Sequence, residues 1–372
     1  MRKSLIGLVL MGIMFTITIP VVYANSSRIN NIGINISITE YNKLLNLGFT
    51  EDYIDTMEQE EFDYNKSIIG HVVSETTKFY RTTIIYGYAQ SRDSLSQLNV
   101  NNNLFNTQYD RISLQTAISD GILVVQDVID EEITESEFNE MEDEGIVTVI
   151  TRNATNVYET SGKKLTTTIT YQTSSKRYRM QNVLAWKTMP SVRSHDLFGI
   201  KVNNAAVEPV SNSHWGRTTY TMKESCTNTS TNYTGALYPT GQWKRSPQGY
   251  GVTFELPKNS TGSKTWNVMT GTYPCVWTGA PLPPPKVSPV NYNITLTAMT
   301  HTMYFDVVKV GVTSPISAYG SFQHAVNTVS LSTSLSFTIG ATPNLGIVFT
   351  VSNTKNYDGM GGTHAQILKP VW

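Results

Sequence analysis

Two stretches of the sequence alternate between apolar residues and serine or threonine, and this period of two restricts the fold more than any other feature. One stretch covers 165–171 and the other covers 329–339, and a turn at 343–346 leads into a returning pattern at 347–351. Successive side chains of a strand point to opposite faces, so such segments bury one face and wet the other. Many such strands, separated by turn residues, predict a mainly β fold built as an antiparallel β-sandwich.

Composition agrees with this fold class. Charged residues form 15% of the 372 residues, against roughly 25% in an average soluble domain. Glycine, serine, threonine, asparagine and tyrosine take their place. This balance excludes a disordered tail, a coiled coil and a charge-networked helical protein, and it is typical of extracellular β proteins.

The first 24 residues have the organisation of a secretory signal peptide. Arg2 and Lys3 precede an apolar run over 5–19, Pro20 follows, and small residues lead up to Ala24. Cleavage after Ala24 predicts a secreted, extracellular protein. An uncleaved membrane anchor is the alternative, which the short span and the proline disfavour.

Cys226 and Cys275 are the two cysteines of the chain. In an oxidising compartment a lone pair predicts a disulfide, here closing a loop of about 50 residues. Two free thiols are the alternative. A metal site is disfavoured because no histidine or second cysteine lies at ligand spacing from either residue.

Charge is distributed unevenly along the chain. Residues 25–145 contain 22 acidic and 7 basic residues, whereas residues 146–372 contain 7 acidic and 19 basic residues. We therefore expect a small helical cap over 25–67, an acidic mixed α/β segment with a surface helix over 68–145, and a basic antiparallel β-sandwich over 146–372. The split predicts that the halves attract each other or that the basic half binds an anionic partner. The alternative is a solvated acidic helix beside an ordinary, mildly basic domain.

Capping residues predict three short helices in the cap and one acidic helix on the surface. A strand or two is expected over 72–88, and 112–129 is ambiguous between strand and helix. The expected start signals are Thr39, Thr50, Thr56 with Gln59, and Thr134 with Glu137, and the expected stops are Gly48 and Gly145.

The sequence contains no known catalytic motif. His195 with Asp196 and His301 with Asp306 are the close histidine–carboxylate pairs, and neither has an identifiable nucleophile. A hydrogen-bonded or exposed structural role is therefore favoured over catalysis. No metal or cofactor is expected, because the loop at Asp358 offers too few acids for calcium and the acidic run over 127–144 lacks EF-hand spacing.

An aromatic and basic cluster near the cysteines is the most suggestive binding feature. Aromatic rings on loops form platforms for sugar faces, and nearby basic residues suit anionic polymers. The alternative is that these rings pack the sandwich core. The candidate binding residues are Trp243, Lys244, Arg245, Tyr250, Trp266 and Trp277.

Segments 41–49, 186–196, 319–325 and 357–362 resemble those of uncharacterised proteins exported by Gram-positive, Bacillus-like bacteria. The resemblance covers most of the mature chain in the same order. It implies export and a layout of helices followed by strands, and it implies no activity and no site.

These observations favour a secreted, non-catalytic binding or surface protein that engages anionic cell-wall polymer or glycan. Nucleic acid is not an expected partner outside a cell. A membrane-active β protein is one alternative, because the hairpin over 327–352 has strands of about bilayer-spanning length. A hydrolase with a scattered site is the other. The ligand and the oligomeric state stay open.

Overall fold

The computed structural model describes the larger part of the chain. The described residues are 27–88, 117–118, 120–141, 146–150, 155–191, 195–203, 205–226, 229–238, 243–246, 248–256, 260–265, 289–311, 315–326, 336–339, 347–350, 358 and 361–372.

Strands dominate these residues, and a small helical region precedes most of them, which confirms the predicted fold class. The helices are Ile38–Asn46 (α1), Glu51–Asp55 (α2), Gln59–Asn65 (α3) and Glu135–Glu140 (α4). The strands are Ser27–Ile29 (β1), Asn35–Ser37 (β2), Gly70–Tyr88 (β3), Leu123–Ile133 (β4), Ile146–Ile150 (β5), Thr155–Gln172 (β6), Arg177–Trp186 (β7), His195–Val202 (β8), Val207–Pro209 (β9), Trp215–Cys226 (β10), Thr229–Leu237 (β11), Lys244–Ser246 (β12), Gly249–Glu255 (β13), Ser260–Thr265 (β14), Pro289–Lys309 (β15), Ile316–His324 (β16), Ser336–Ile339 (β17), Ile347–Thr350 (β18) and Gly361–Ile367 (β19).

Capping residues place the helices of the cap close to their predicted positions. Ser37, not Thr39, caps α1, and its hydroxyl and the Glu40 side chain form a reciprocal capping box. Gly48 follows this helix with a φ of +90°, a conformation that glycine adopts without strain. The Thr50 side chain accepts a hydrogen bond from the Tyr53 amide and caps α2 as predicted.

The predicted capping box at Thr56 is wrong. The Thr56 hydroxyl donates to the Asp52 carbonyl at 3.0 Å, at the end of α2. Glu58 begins α3 and makes no side-chain capping bond. The hydroxyl thus satisfies a carbonyl of the preceding helix instead of an amide of the next one.

The acidic segment is partly strand, which corrects the expectation of a helix from the acidic run. The capping box of Thr134 and Glu137 forms, but α4 ends at Glu140 rather than at Gly145. The first acids of the run over 127–144 belong to β4, where Glu131 forms an ion pair with Arg81 of the neighbouring strand at 2.7 Å. Cross-strand ion pairs of this kind suit a strand at the edge of a sheet.

A ten-stranded antiparallel sheet forms the middle layer of the molecule. Its main path runs β11-β10-β15-β7-β6-β3-β4, with β9 and β14 paired to β15 and β5 paired to β6. Strands β3 and β4 come from the acidic segment, so the expected boundary at residue 145 falls inside this sheet.

A second antiparallel sheet, in the order β12-β13-β8-β16-β19, packs against one face of the first. The main core lies between them and includes Ile169, Met180, Phe198 and Phe322. The sheets approach closely at Gly320, where an added Cβ would lie 2.2 Å from the Thr167 hydroxyl. The predicted sandwich is therefore present.

The helical cap covers the opposite face of the large sheet. The Thr170 hydroxyl of β6 donates to the Leu47 carbonyl at 3.2 Å, and Tyr304 of β15 belongs to the cap's own apolar cluster. Both faces of β6 are therefore buried, which explains why its alternating threonines are shielded as well as its leucine and isoleucine. The molecule has three layers.

The predicted hairpin is present in part. Strand β17 pairs antiparallel with β18, with Ser336 opposite Thr350 and Ile339 opposite Ile347. The turn at 343–346 and the alternating residues 329–335 lie outside the described residues.

Candidate functional site

The aromatic and basic cluster forms around β12 and β13. The half-buried Trp243 lies with its ring centroid 4.7 Å from that of His214 and 6.2 Å from that of Tyr250. Its ring also crosses Gly216, where an added Cβ would lie 3.2 Å from the indole. Close packing, supported by that glycine, holds the indole in one place.

The structure corrects the expectation of an open ring at Tyr250. This side chain is only 2% exposed and packs against Phe305 with ring centroids 5.1 Å apart. The Tyr250 side chain points from β13 toward the large sheet. Its ring is therefore part of the core and does not form a platform for sugar. Lys244 opens β12 opposite Gly251, and Trp266 and Trp277 lie outside the described residues.

Arg245 is the exposed cation of the cluster. Its guanidinium donates to the Ser211 hydroxyl at 2.9 Å and to the Pro209 carbonyl at 3.3 Å, and it lies 6.0 Å from the Tyr250 ring. These bonds to neutral groups fix the side chain without neutralising its charge. The site therefore presents a positioned positive charge to solvent.

A second exposed cation lies on the same edge. Pro209 pairs with Val307 of β15, and Lys309 follows two residues later with its amine 5.4 Å from the Trp372 ring. We call Arg245, Lys309, Trp243 and Trp372 the basic edge. Glu208 of β9 is exposed and pairs with Val308, so its side chain points to the opposite face of the sheet from that of Lys309.

The predicted disulfide stays a prediction. Cys226 ends β10, opposite Thr229 of β11, and Cys275 lies outside the described residues.

The histidine–carboxylate partners differ from those expected from sequence proximity. Asp196 accepts hydrogen bonds from His301 Nε2 and His324 Nδ1, each at 2.6 Å, while Asp306 accepts one from Arg179 Nε at 2.9 Å. Residues one or five positions apart on a strand point to opposite faces, so neighbours in sequence rarely meet. Pairing and packing of strands that are distant in sequence bring Asp196 together with His301 and His324.

The Asp196 assembly is sealed inside the sandwich. Asp196 and His301 are 0% exposed and His324 is 1% exposed. Burial raises the pKa of Asp196, but the two imidazoles more than offset burial and leave that pKa well below its usual range. The Thr218 hydroxyl lies 2.6 Å from the remaining nitrogen of His301. These bonds tie β8 and β16 of one sheet to β15 and β10 of the other, which is a structural role.

A buried ion pair and a buried hydrogen bond also attach the acidic cap to the basic sheet. Glu61 of α3 contacts Arg217 of β10 and accepts hydroxyl bonds from Tyr53 at 2.7 Å and Tyr304 at 2.8 Å. The Tyr64 hydroxyl donates to Asp306 at 2.6 Å. At Glu61 and Arg217, opposite charges of the two halves therefore meet inside the molecule.

One lysine is buried as well. Lys163 of β6 is 1% exposed and contacts Asp358, and its amine lies 4.6 Å from the Phe322 ring and 5.1 Å from the Trp186 ring. The Asp358 carboxylate accepts the His324 amide at 2.6 Å. Burial raises the pKa of Asp358 to about 6 against the opposing effect of Lys163. This pair could not be predicted from the sequence, because its two residues are 195 positions apart and a lysine is ordinarily exposed.

The described part of the chain contains neither a group of metal-binding side chains nor a helix that could cross a membrane. Among those residues, no three histidine, cysteine or acidic side chains are grouped to hold a metal ion. None of the described helices is long and apolar enough to span a bilayer.

Comparison with solved structures finds a distant similarity. No family model and no curated protein matches this chain. The C-terminal domain of the Streptococcus pyogenes antigen I/II-family protein AspA is similar in structure over 66% of this chain and 80% of that domain, at 8% identity and a TM-score of 0.20. At this TM-score the similarity carries no argument about function.

Proposed function

We propose that this protein is exported and acts without catalysis as a surface-binding protein, whose basic edge binds anionic cell-wall polymer or glycan. The observation that carries the proposal is the pair of exposed cations, Arg245 and Lys309, with the half-buried indoles of Trp243 and Trp372 in the basic edge. The signal-peptide pattern over 1–24 supports export.

The chemistry of the edge suits a repeating anion. Guanidinium and ammonium groups donate to phosphate or carboxylate oxygens, and aromatic rings beside them provide apolar surface for the backbone of a polymer or a sugar. A preformed site loses little side-chain freedom on binding, and Arg245 is already held by Ser211 and Pro209.

A hydrolase receives less support from the described residues. The buried Asp196 assembly has its carboxylate oxygens bound to two imidazoles and is closed to a substrate, which favours a structural role over a hydrolase site.

Binding of the mature chain to immobilised polyglycerol phosphate at low salt tests the proposal. Removing both charges with Arg245→Gln and Lys309→Gln should weaken binding roughly tenfold, since each exposed contact contributes about 0.5–1 kcal/mol.

Lys66→Gln is the matched control, since Lys66 is an exposed cation of the cap that pairs with Asp63. It should leave binding unchanged. Equal binding by the wild type and the double variant would refute the assignment of the basic edge.

A further inference from the structure

The interior pair of Lys163 and Asp358 has features that an ordinary ion pair does not need. The two side chains lie 195 residues apart in sequence and are 1% and 0% exposed. Aromatic rings of Trp186 and Phe322 line the lysine amine. Enclosing two charges in such surroundings is costly, and burial raises the pKa of the Asp358 carboxyl.

The groups around the pair are arranged for chemistry at the carboxyl carbon. The Asp358 oxygen Oδ2 contacts the lysine amine, while Oδ1 accepts the backbone amide of His324 at 2.6 Å. A backbone N–H in that position stabilises negative charge on the oxygen, as in an oxyanion hole. A second carboxylate, Asp130 Oδ1, lies 3.8 Å from the same amine.

We propose that Lys163 and Asp358 condense to form an intramolecular amide bond that joins β6 to the segment preceding β19. This is a modification site and does not depend on the proposed binding function. Asp130 is assigned the transfer of a proton between the reacting groups, and the His324 amide is assigned the stabilisation of the oxyanion.

The reaction balances without an added reagent. A proton passes from the lysine ammonium to Asp358 Oδ2, which leaves an amine facing a carboxylic acid. The amine nitrogen attacks Cγ, a C–N bond forms, and the negative charge develops on Oδ1 against the His324 N–H. Asp130 accepts a proton from that nitrogen and passes it to the Oδ2 hydroxyl. The C–O bond then breaks, one water leaves, and the amide carbonyl forms.

Such a bond would lock the sandwich covalently. Lys163 lies on β6 of the large sheet. Asp358 lies between β16 and β19 in the sequence, and both of these strands belong to the small sheet. The cross-link closes a loop that includes strands of both sheets, so the unfolded chain loses conformational freedom as it does with a disulfide.

The intact mass of the purified, reduced and denatured mature chain tests the proposal. The wild type should weigh one water less than its sequence, and a digest should contain one branched peptide with both residues. Lys163→Arg keeps the positive charge but lacks a nucleophilic amine, so it should have the full sequence mass. Asp130→Asn should form the link much more slowly.

Lys66→Arg is the control, since it alters an exposed lysine–aspartate pair and should keep the loss of water. A wild-type chain at full sequence mass after prolonged incubation at neutral pH would overturn the proposal. A water loss that persists in Lys163→Arg would overturn it as well, because the missing water would then come from elsewhere.

Discussion

Replacing Arg217 by methionine should weaken the attachment of the helical cap to the sheet and lower the free energy of unfolding. The Arg217 side chain is 0% exposed and its partner Glu61 is 2% exposed, so the substitution leaves a buried carboxylate without its cation. Losing one member of a buried pair costs about 3–5 kcal/mol. The hydroxyls of Tyr53 and Tyr304 still bond to Glu61 and place the expected loss near the lower end of that range.

Urea denaturation, monitored by tryptophan fluorescence, measures this loss as a change in the free energy of unfolding. Adding Glu61→Gln to Arg217→Met removes the orphaned charge and should restore part of the stability, which gives a double-mutant cycle for the pair. Arg81→Met is the matched control, because Arg81 and Glu131 form an exposed pair worth about 0–1 kcal/mol. A loss for Arg217→Met no larger than the control's would refute the view that buried charge holds the cap.

Two further predictions follow from the cysteines and from the basic edge. Freshly secreted protein should be two hydrogens lighter before reduction than after it, because Cys226 and Cys275 are expected to pair, and two free thiols in that material would contradict the prediction. Burial, with the nearby Arg245 charge, lowers the pKa of His214 below its usual value of 6.5, so the unfolded chain binds a proton more readily and stability should fall as the pH drops through that value. His214→Gln should flatten this part of the curve of unfolding free energy against pH, and an unchanged curve would show that His214 does not contribute.

Local patterns predicted two of the four helix starts, whereas the starts expected at Thr39 and Thr56 are wrong. Thr50 and the capping box of Thr134 with Glu137 begin the helices they were expected to begin, because capping depends on residues within one turn. The alternation over 165–171 correctly indicated a strand. It did not indicate that both faces are buried, since the threonine face is covered by a cap formed more than a hundred residues earlier.

Long-range contacts account for the wrong predictions about the acidic run and the histidine partners. The acidic residues 127–133 suggested a solvated helix, yet β4 pairs with β3, where Arg81 and Lys78 neutralise two of its acids. Net charge along the sequence cannot show which charges will meet, and several of the basic half's cations are consumed internally by Glu61, Asp306 and Asp358. The histidine partners depended on sheet register in the same way.

Retention of the mature chain on purified cell walls, measured as salt is raised, tests the proposed function most directly. Exposed charges farther apart than about 10 Å are largely screened at 0.1 M salt, and the screening distance shrinks to about 3 Å at 1 M. Binding through the basic edge should therefore be strong at low salt and approach zero near 1 M salt. Binding that is equally strong across this range, or absent at low salt, would contradict an electrostatic surface-binding role.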